Sequence, residues 1–318
     1  MPEQANTPLY FVGCDVGKAE VVVFDGRVGS CGCVANTPKA LANWAAGLDC
    51  DGLVVCEATG GYEAELLAAL AKVSAPVHRA DARKVKAFIR SFGTLGKTDE
   101  IDARALAQYG AERCRQLARW SAPDETRLHL QSLVSARRDL VAQRTASSNR
   151  LKAPGGTEAK PYFTALVACL DEQIAAIDKH IARLIAEDAN LAQAAQVLCS
   201  VPGIGAKTAP VLLALMPELG ACSGKQAASL AGLAPHPRQS GANDAYRRVQ
   251  GGRPEVKRAL FMAAMAAATR SKAMKDVYQR LIDKGKKPLV AIVAIMRKMI
   301  VIANARIRDA NICKPASI

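Results

Sequence analysis

The chain has 318 residues, half of them apolar, and this length suits about two domains with sizeable cores. Its net charge of +14 is concentrated near one end, since residues 237–318 carry 18 Lys and Arg against 5 Asp and Glu. Such a basic block favours a nucleic-acid partner, and a solvated basic face without a specific partner is the alternative. Aromatic residues make up only 4%, so we expect contacts with phosphate and duplex shape rather than base stacking.

The N-terminus, the apolar runs and the cysteines argue against a secreted or membrane protein. The N-terminus lacks the charged-then-apolar pattern of a signal peptide. Apolar runs such as residues 259–268 are shorter than the roughly 18–20 residues that cross a membrane. None of the ten cysteines lies at zinc-site spacing, and free thiols fit a reducing compartment. We therefore predict a cytoplasmic protein with no membrane partner.

Residues 1–120 are predicted to form an α/β domain. Two β-rich runs, at 10–14 and 19–24, predict a hairpin, and Pro38 opens a short helix to residue 47. An apolar strand follows at 53–56, then a helix at 62–73 and a strand from residue 77. Thr98 is the predicted N-cap of a further helix.

Four acidic residues of this domain predict a metal site. Asp15 and Glu57 each end an apolar run, whereas Asp99 and Asp102 lie three apart on one helix face. Carboxylates suit Mg²⁺ or Mn²⁺, and a pair of such ions is a standard means of cutting a phosphodiester. Each acid alone has a structural alternative, in a turn or at a helix N-terminus. The strand–strand–helix order favours a nuclease-type fold, and the nearby Lys18 is a candidate phosphate contact.

Residues 121–190 are predicted to be helical. An α-hairpin packed on itself and an intermolecular coiled coil both fit their apolar pattern, and the narrow stripe favours an oligomer contact. The basic segment before it makes Arg137 and Arg144 candidate nucleic-acid contacts. The apolar pattern is a heptad seam whose members are spaced alternately four and three residues apart: Phe163, Val167, Leu170, Ile174, Ile177, Ile181 and Leu184.

Residues 191–318 are predicted to be mainly helical, with final helices near 255–270 and 289–304. The turn at 202–205 resembles the hairpin of helix–hairpin–helix DNA binders, with Lys207 one turn further, although an ordinary helix connection is the alternative.

The turn-forming residues of 235–241 predict a loop, which includes Ser240. Ser240 is a candidate nucleophile, because the neighbouring arginines would hold a phosphate and stabilise developing charge. These arginines are Arg238, Arg247 and Arg248.

Together these motifs resemble the DEDD transposases of bacterial insertion sequences, of the insertion-sequence-110 type, nearly end to end. Gly17 stands where many members have Ser or Ala, and Gly252 where many have Asn, but neither change removes a catalytic group. The matching motifs are Asp15-x-x-Lys18, Glu57-Ala58-Thr59-Gly60-Gly61-Tyr62, Lys97-Thr98-Asp99-x-x-Asp102-Ala103, Pro202-Gly203-Ile204-Gly205, Gly232-Leu233-Ala234-Pro235 with Ser240-Gly241, and Gly251 through Arg258-Ala259-Leu260.

The resemblance implies an α/β plus mainly α architecture. In this architecture, a RuvC- or RNase H-like catalytic domain would occupy residues 1–120, a coiled-coil middle residues 121–190, and a small helical transposase domain residues 191–318. It also implies a dimer or tetramer in which the acids of one protomer join the serine of another around Mg²⁺ or Mn²⁺. Its partners would be donor and target double-stranded DNA and a structured non-coding guide RNA. Lys97 and Arg258 complete the candidate nucleic-acid contacts.

We therefore predict a site-specific DNA recombinase or transposase whose serine bonds covalently to DNA. A RuvC-type, metal-dependent Holliday-junction endonuclease that hydrolyses DNA is the alternative, but it leaves Ser240 without a role. A nucleic-acid-binding scaffold with a decayed nuclease domain is a non-enzymatic alternative.

Overall fold

The computed structural model describes residues 7–93, 98–122, 124–240 and 243–310, and for residues 237–247 it describes the backbone only. The chain divides into two compact units, Met1–Ala122 and Pro123–Pro315. Residues 124–190 of the predicted middle segment belong to the second unit. The three-part domain division stays a prediction.

The N-terminal unit is built on a mixed five-stranded sheet with the strand order β3-β2-β1-β4-β5. Its strands are β1 (Tyr10–Val16), β2 (Glu20–Asp25), β3 (Ser30–Ala35), β4 (Gly52–Glu57) and β5 (Val77–Ala80). β1, β2 and β3 pair antiparallel, whereas β1, β4 and β5 pair parallel. The predicted hairpin and the strands near 53 and 77 are confirmed, and β3 is an additional strand.

Four helices cover the two faces of this sheet: α1 (Pro38–Ala45), α2 (Ala64–Lys72), α3 (Ala82–Ser91) and α4 (Asp99–Arg113). Because side chains alternate along a strand, each central strand contributes to two cores. Val12 and Val54 pack with α1 and α2, whereas Leu53 and Val55 pack with α3 and α4. Thr98 caps α4 as predicted, with its hydroxyl accepting a hydrogen bond from the Ile101 N–H at 3.3 Å.

The C-terminal unit is mainly helical. It begins with two 28-residue helices, α5 (Glu125–Lys152) and α6 (Lys160–Glu187), which pack together as a hairpin. Leu170 and Ile181 of the heptad seam are buried within this chain, and its other members are half-buried. The hairpin interpretation of the seam is therefore confirmed, and an intermolecular contact stays a prediction.

The rest of the unit comprises α7 (Ala189–Cys199), α8 (Ala209–Leu215), α9 (Gly224–Leu230), β6 (Pro235–Ser240), β7 (Asn243–Val249), α10 (Pro254–Arg270), α11 (Lys272–Asp283) and α12 (Pro288–Asp309). Within the described residues, α12 is the one helix long and apolar enough to cross a membrane. Its Ile295, Met299 and Ala303 are fully buried in the core of the unit, which accounts for their apolar character.

The predicted loop at 235–241 is wrong. Residues 235–240 form β6, which pairs antiparallel with β7 from Pro235 opposite Val249 to Ser240 opposite Asn243. The register shifts between His236 and Arg238, at a proline that has no N–H for a strand ladder. A two-stranded ribbon tolerates proline because each strand has a free edge. Residues 241–242 lie outside the described chain.

Candidate active site

Asp15 and Glu57 lie side by side on neighbouring parallel strands. Gly13 of β1 is opposite Val55 of β4, so Asp15 and Glu57, two residues further along each strand, continue the same register. Residues at matching positions of adjacent strands are about 4.8 Å apart. Because side chains two apart share a face of the sheet, Asp15 lies on the face of Gly13. For the same reason, Glu57 lies on the face of Val55.

Helix α4 covers this face through an unusually close approach to β1. A Cβ atom on Gly13 would lie 1.9 Å from the carbonyl oxygen of Ala103, so the approach requires glycine. Further along α4, a Cβ atom on Gly110 would lie 2.8 Å from the side chain of Val55. The helix therefore packs on the face that also carries the two carboxylates.

The direction of α4 brings its first turn to the acid-bearing end of the sheet. Gly110 lies beside Phe11, whereas Ala103 lies beside Gly13, so the N-terminus of α4 follows β1 toward its carboxyl end. Asp99 is the first residue of α4 and is exposed, and Asp102 in the same turn is half-buried. The fold thus directs the first turn of α4, with Asp99 and Asp102, toward the end of the sheet where Asp15 and Glu57 lie.

The side chains at this end of the sheet are chemically suited to a divalent cation. They are carboxylates, the hard oxygen ligands that Mg²⁺ and Mn²⁺ prefer. In the part of the chain that the structure describes, no group of three or more His, Cys, Asp or Glu side chains is close enough to hold a metal ion. The case for a divalent cation therefore rests on the arrangement of β1, β4 and α4 and on the chemistry of the four acidic side chains.

Glu63, which sequence analysis did not identify, holds the loop that follows Glu57. Its carboxylate accepts hydrogen bonds from the N–H and hydroxyl of Thr59, at 3.2 and 2.9 Å, and from the N–H of Gly61 at 2.9 Å. Arg79 of β5 donates through Nε at 2.9 Å and Nη2 at 2.5 Å. Burial alone would raise the pKa of Glu63, but hydrogen bonds outweigh it and lower this pKa to about 2. The only available signal was an acid directly after a Gly-Gly-Tyr turn.

Asn36, also not identified from sequence, joins the loops after β1 and β4. Its side-chain nitrogen donates to the carbonyl oxygen of Gly17 at 2.9 Å and to that of Tyr62 at 3.0 Å. Lys18, next to the first of these carbonyls, is exposed. The two loops that leave the acid-bearing strands are therefore tied to each other.

Arg137 and Arg144 are both engaged within the helical hairpin. Arg137 donates to Asp178 of α6 through Nε and Nη2, and Arg144 donates to Asp171 through Nε at 2.8 Å. The hydrogen bond with Asp171 raises the pKa of the Arg144 guanidinium. These ion pairs link α5 to α6, and nucleic-acid binding by the two arginines stays a prediction.

The remaining predicted contacts are described to different extents. Lys207, in the turn before α8, is exposed, as are Arg248 of β7 and Arg258 of α10. Lys97 lies outside the described residues. The structure places Arg238 and Ser240 on β6 and Arg247 on β7 by their backbone alone.

Comparison with known proteins gives the family. A transposase model of the DEDD IS110 type matches residues 12–154, and a model described as "Transposase IS116/IS110/IS902 family" matches residues 195–279. The pilin gene-inverting proteins of Moraxella lacunata and Moraxella bovis are each 32% identical to this chain over 264 residues, which is 80% of both sequences. This chain belongs to the IS110 family of transposases. It is 34% identical over 115 residues to an IS110 insertion-element protein of Streptomyces coelicolor, covering 36% of this chain and 28% of that protein.

Membership confirms the predicted family and enzyme class, a DNA transposase or recombinase. The first family model includes all four acids, and its DEDD type suggests dependence on a divalent metal. The second model runs from α7 into α11 and includes Ser240. Both predicted sets of catalytic residues therefore fall within segments that match the IS110 family.

Proposed function

We propose that this IS110-family enzyme cuts and rejoins DNA at specific sites with a divalent-metal acid cluster and a serine nucleophile. The observation that carries the proposal is the arrangement of Asp15 and Glu57, in register on parallel strands beneath the first turn of α4. The mixed sheet with order β3-β2-β1-β4-β5 supports the RuvC- or RNase H-like domain that the sequence predicts.

Asp15 and Glu57 would hold Mg²⁺ or Mn²⁺ from the sheet, and Asp99 and Asp102 from α4. The bound ions would stabilise charge on the attacking and leaving oxygens of a phosphodiester. The residues themselves orient the site, because the close approach of Gly13 to α4 leaves the helix little freedom to move along β1. Asp102 is half-buried, which limits the contact of its side chain with water.

Ser240 is the proposed nucleophile, at the end of β6. Its Oγ would bond to phosphorus while the bond from phosphorus to one deoxyribose oxygen breaks. The serine proton passes to solvent or a base, and the leaving sugar oxygen takes up a proton. A hydroxyl of another strand would then attack the phosphoserine and restore the serine. Arg238, Arg247 and Arg248, which flank Ser240 along β6 and β7, would hold the phosphate.

We propose donor and target double-stranded DNA as the substrates and a structured non-coding RNA as the guide. The basic residues of 237–318 support contacts with nucleic-acid backbone, since their charge is nearly the whole net charge of the chain. The relatives named for pilin gene inversion support rearrangement of DNA segments. A cytoplasmic dimer or tetramer would supply acids and serine from different protomers, and the exposed Tyr162 and Leu166 of α6 offer an apolar contact surface.

A covalent protein–DNA adduct tests this function. The protein would be co-expressed with the non-coding sequence that flanks its gene and supplied with element-junction DNA and Mg²⁺. We expect a slow-migrating adduct on a denaturing gel for wild type, and none for Ser240→Ala or Asp99→Ala. Ser229→Ala on α9 and Glu100→Ala on α4 change exposed residues of similar chemistry; they are the matched controls and should keep the adduct.

The gel also separates the two chemistries. Cleaved DNA without an adduct, at the same level in Ser240→Ala, would overturn the serine nucleophile and support hydrolysis by the acids alone. Cleavage that survives Asp99→Ala would overturn the acid cluster. Omission of the flanking non-coding sequence should abolish the adduct, and an undiminished adduct would overturn guidance by RNA.

A further inference from the structure

A single asparagine bridges the two loops that leave the acid-bearing strands. Asn36 follows β3, and its backbone N–H donates to the carbonyl of Ala19 at 2.8 Å, which continues the β2–β3 ladder. The side-chain nitrogen carries two hydrogens, and each donates to a different loop, at Gly17 and at Tyr62. Asn36 is thus anchored to the sheet and reaches both loops from there.

The loop after Glu57 has backbone freedom that such an anchor removes. Gly60 and Gly61 have φ angles of 77° and 120°, a region that glycine enters readily. The N–H of Thr59, just before the pair, donates to Glu63, and the carbonyl of Tyr62, just after it, accepts from Asn36. The flexible pair therefore lies between two fixed hydrogen bonds.

The oxygen of the asparagine side chain takes no part in this bridge. Its Oδ1 is buried and has no hydrogen-bond partner in the described structure. An unsatisfied buried carbonyl oxygen costs free energy, and this cost offsets part of what the two donated hydrogen bonds contribute. The favourable polar contacts of this side chain are therefore the two hydrogen bonds that it donates to the loops.

We propose that Asn36 is a positioning residue that sets the separation of the loops after β1 and β4, and so keeps the Asp15 and Glu57 carboxylates in place for a divalent cation. This inference rests on the proposed function, because the cation is part of it. The link is short on the first strand, since Gly17 is two residues beyond Asp15. Residues that orient metal ligands typically change metal affinity by about 10–100-fold when they are replaced.

The test measures loop protection and metal binding in the full chain without nucleic acid. Asn36→Leu keeps the approximate shape but donates no hydrogen bond, and Asn36→Ala removes the side chain. Asn43→Ala, at an exposed asparagine of α1, is the matched control. Hydrogen–deuterium exchange of peptides that cover residues 58–63 is measured in metal-free protein, and Mn²⁺ binding is measured by electron paramagnetic resonance.

We expect both Asn36 variants to exchange faster in this segment and to bind Mn²⁺ about tenfold more weakly, with the control unchanged. If Glu57→Gln loses Mn²⁺, the proposed metal site stands. In that case, unchanged hydrogen exchange or wild-type Mn²⁺ affinity in Asn36→Leu would overturn the role of Asn36 only. Wild-type Mn²⁺ affinity in Glu57→Gln would overturn the proposed metal site and the inference with it.

Discussion

Replacement of Glu63 by glutamine removes the charge that holds the loop after β4 while keeping the size of the side chain. The pKa of Glu63 is lowered from 4.5 to about 2 in the folded protein. At about 1.4 kcal/mol per pKa unit, this difference stabilises the fold by roughly 3 kcal/mol at neutral pH. We expect Glu63→Gln to lower the free energy of unfolding of the N-terminal unit by about this amount.

Tryptophan fluorescence reports this unit selectively. The chain has two tryptophans, and both Trp44 and Trp120 lie in Met1–Ala122, where they pack against its core. Urea denaturation followed by fluorescence therefore measures the unit that contains Glu63. Glu65→Gln changes an exposed glutamate two residues away and should alter the free energy of unfolding by less than about 0.5 kcal/mol.

The pH dependence gives a second, independent result. Because the pKa of Glu63 is lower in the folded state, its stabilisation is complete above the unfolded pKa of about 4.5 and is lost as the pH falls toward 2. Glu63→Gln lacks this ionisation. The stability difference between wild type and variant should therefore shrink by about half between pH 6 and pH 3. An equal difference at both pH values, or an equal effect of Glu65→Gln, would refute the reasoning.

Three further predictions concern packing, ion pairing and nucleic-acid contact. Gly13→Ala would force its Cβ to within 1.9 Å of an α4 carbonyl and should lower the free energy of unfolding of the N-terminal unit by about 3 kcal/mol or more. Gly32→Ala is the control: its Cβ would have no atom within 4 Å, so the same urea denaturation should show a loss of less than about 1 kcal/mol. Arg137→Ala should lower the free energy of unfolding of the C-terminal unit by about 1–2 kcal/mol, because Asp178 loses its partner. Circular dichroism measures this loss, and an additive double variant with Asp178→Ala would contradict the pairing. Lys207→Ala should reduce the slope of log binding affinity against log salt concentration by about one, since one phosphate contact is lost. An unchanged slope would exclude a phosphate contact at Lys207.

The positions of Asp15 and Glu57 were predictable because each ends an apolar run of strand length. The register that places them side by side was not, since parallel pairing joins segments about 40 residues apart. β3 was missed because its Ser-Cys-Gly-Cys start has neither the β-branched residues nor the alternation of a typical strand. The loop at 235–241 was predicted from its turn-forming residues, but a two-stranded ribbon accommodates the prolines among them.

The contacts that support the site were beyond sequence reasoning for a related reason. Glu63 meets Arg79 from 16 residues away, and Asn36 meets Tyr62 from 26 residues away. Such pairs form only after the sheet has brought β3, β4 and β5 together. The heptad seam of α6 was predictable because its period depends on local geometry alone.

The packing of the long hairpin affects where related genes can exchange segments. Leu130 of α5 and Ile181 of α6 are buried in one core with Leu212 of α8 and Ile295 of α12. A chimera joined near residue 190 would combine two halves of this core from different parents and face mismatched side-chain volumes. A crossover near residue 122 leaves both cores intact. Functional hybrids between family members should therefore have their junctions just before α5.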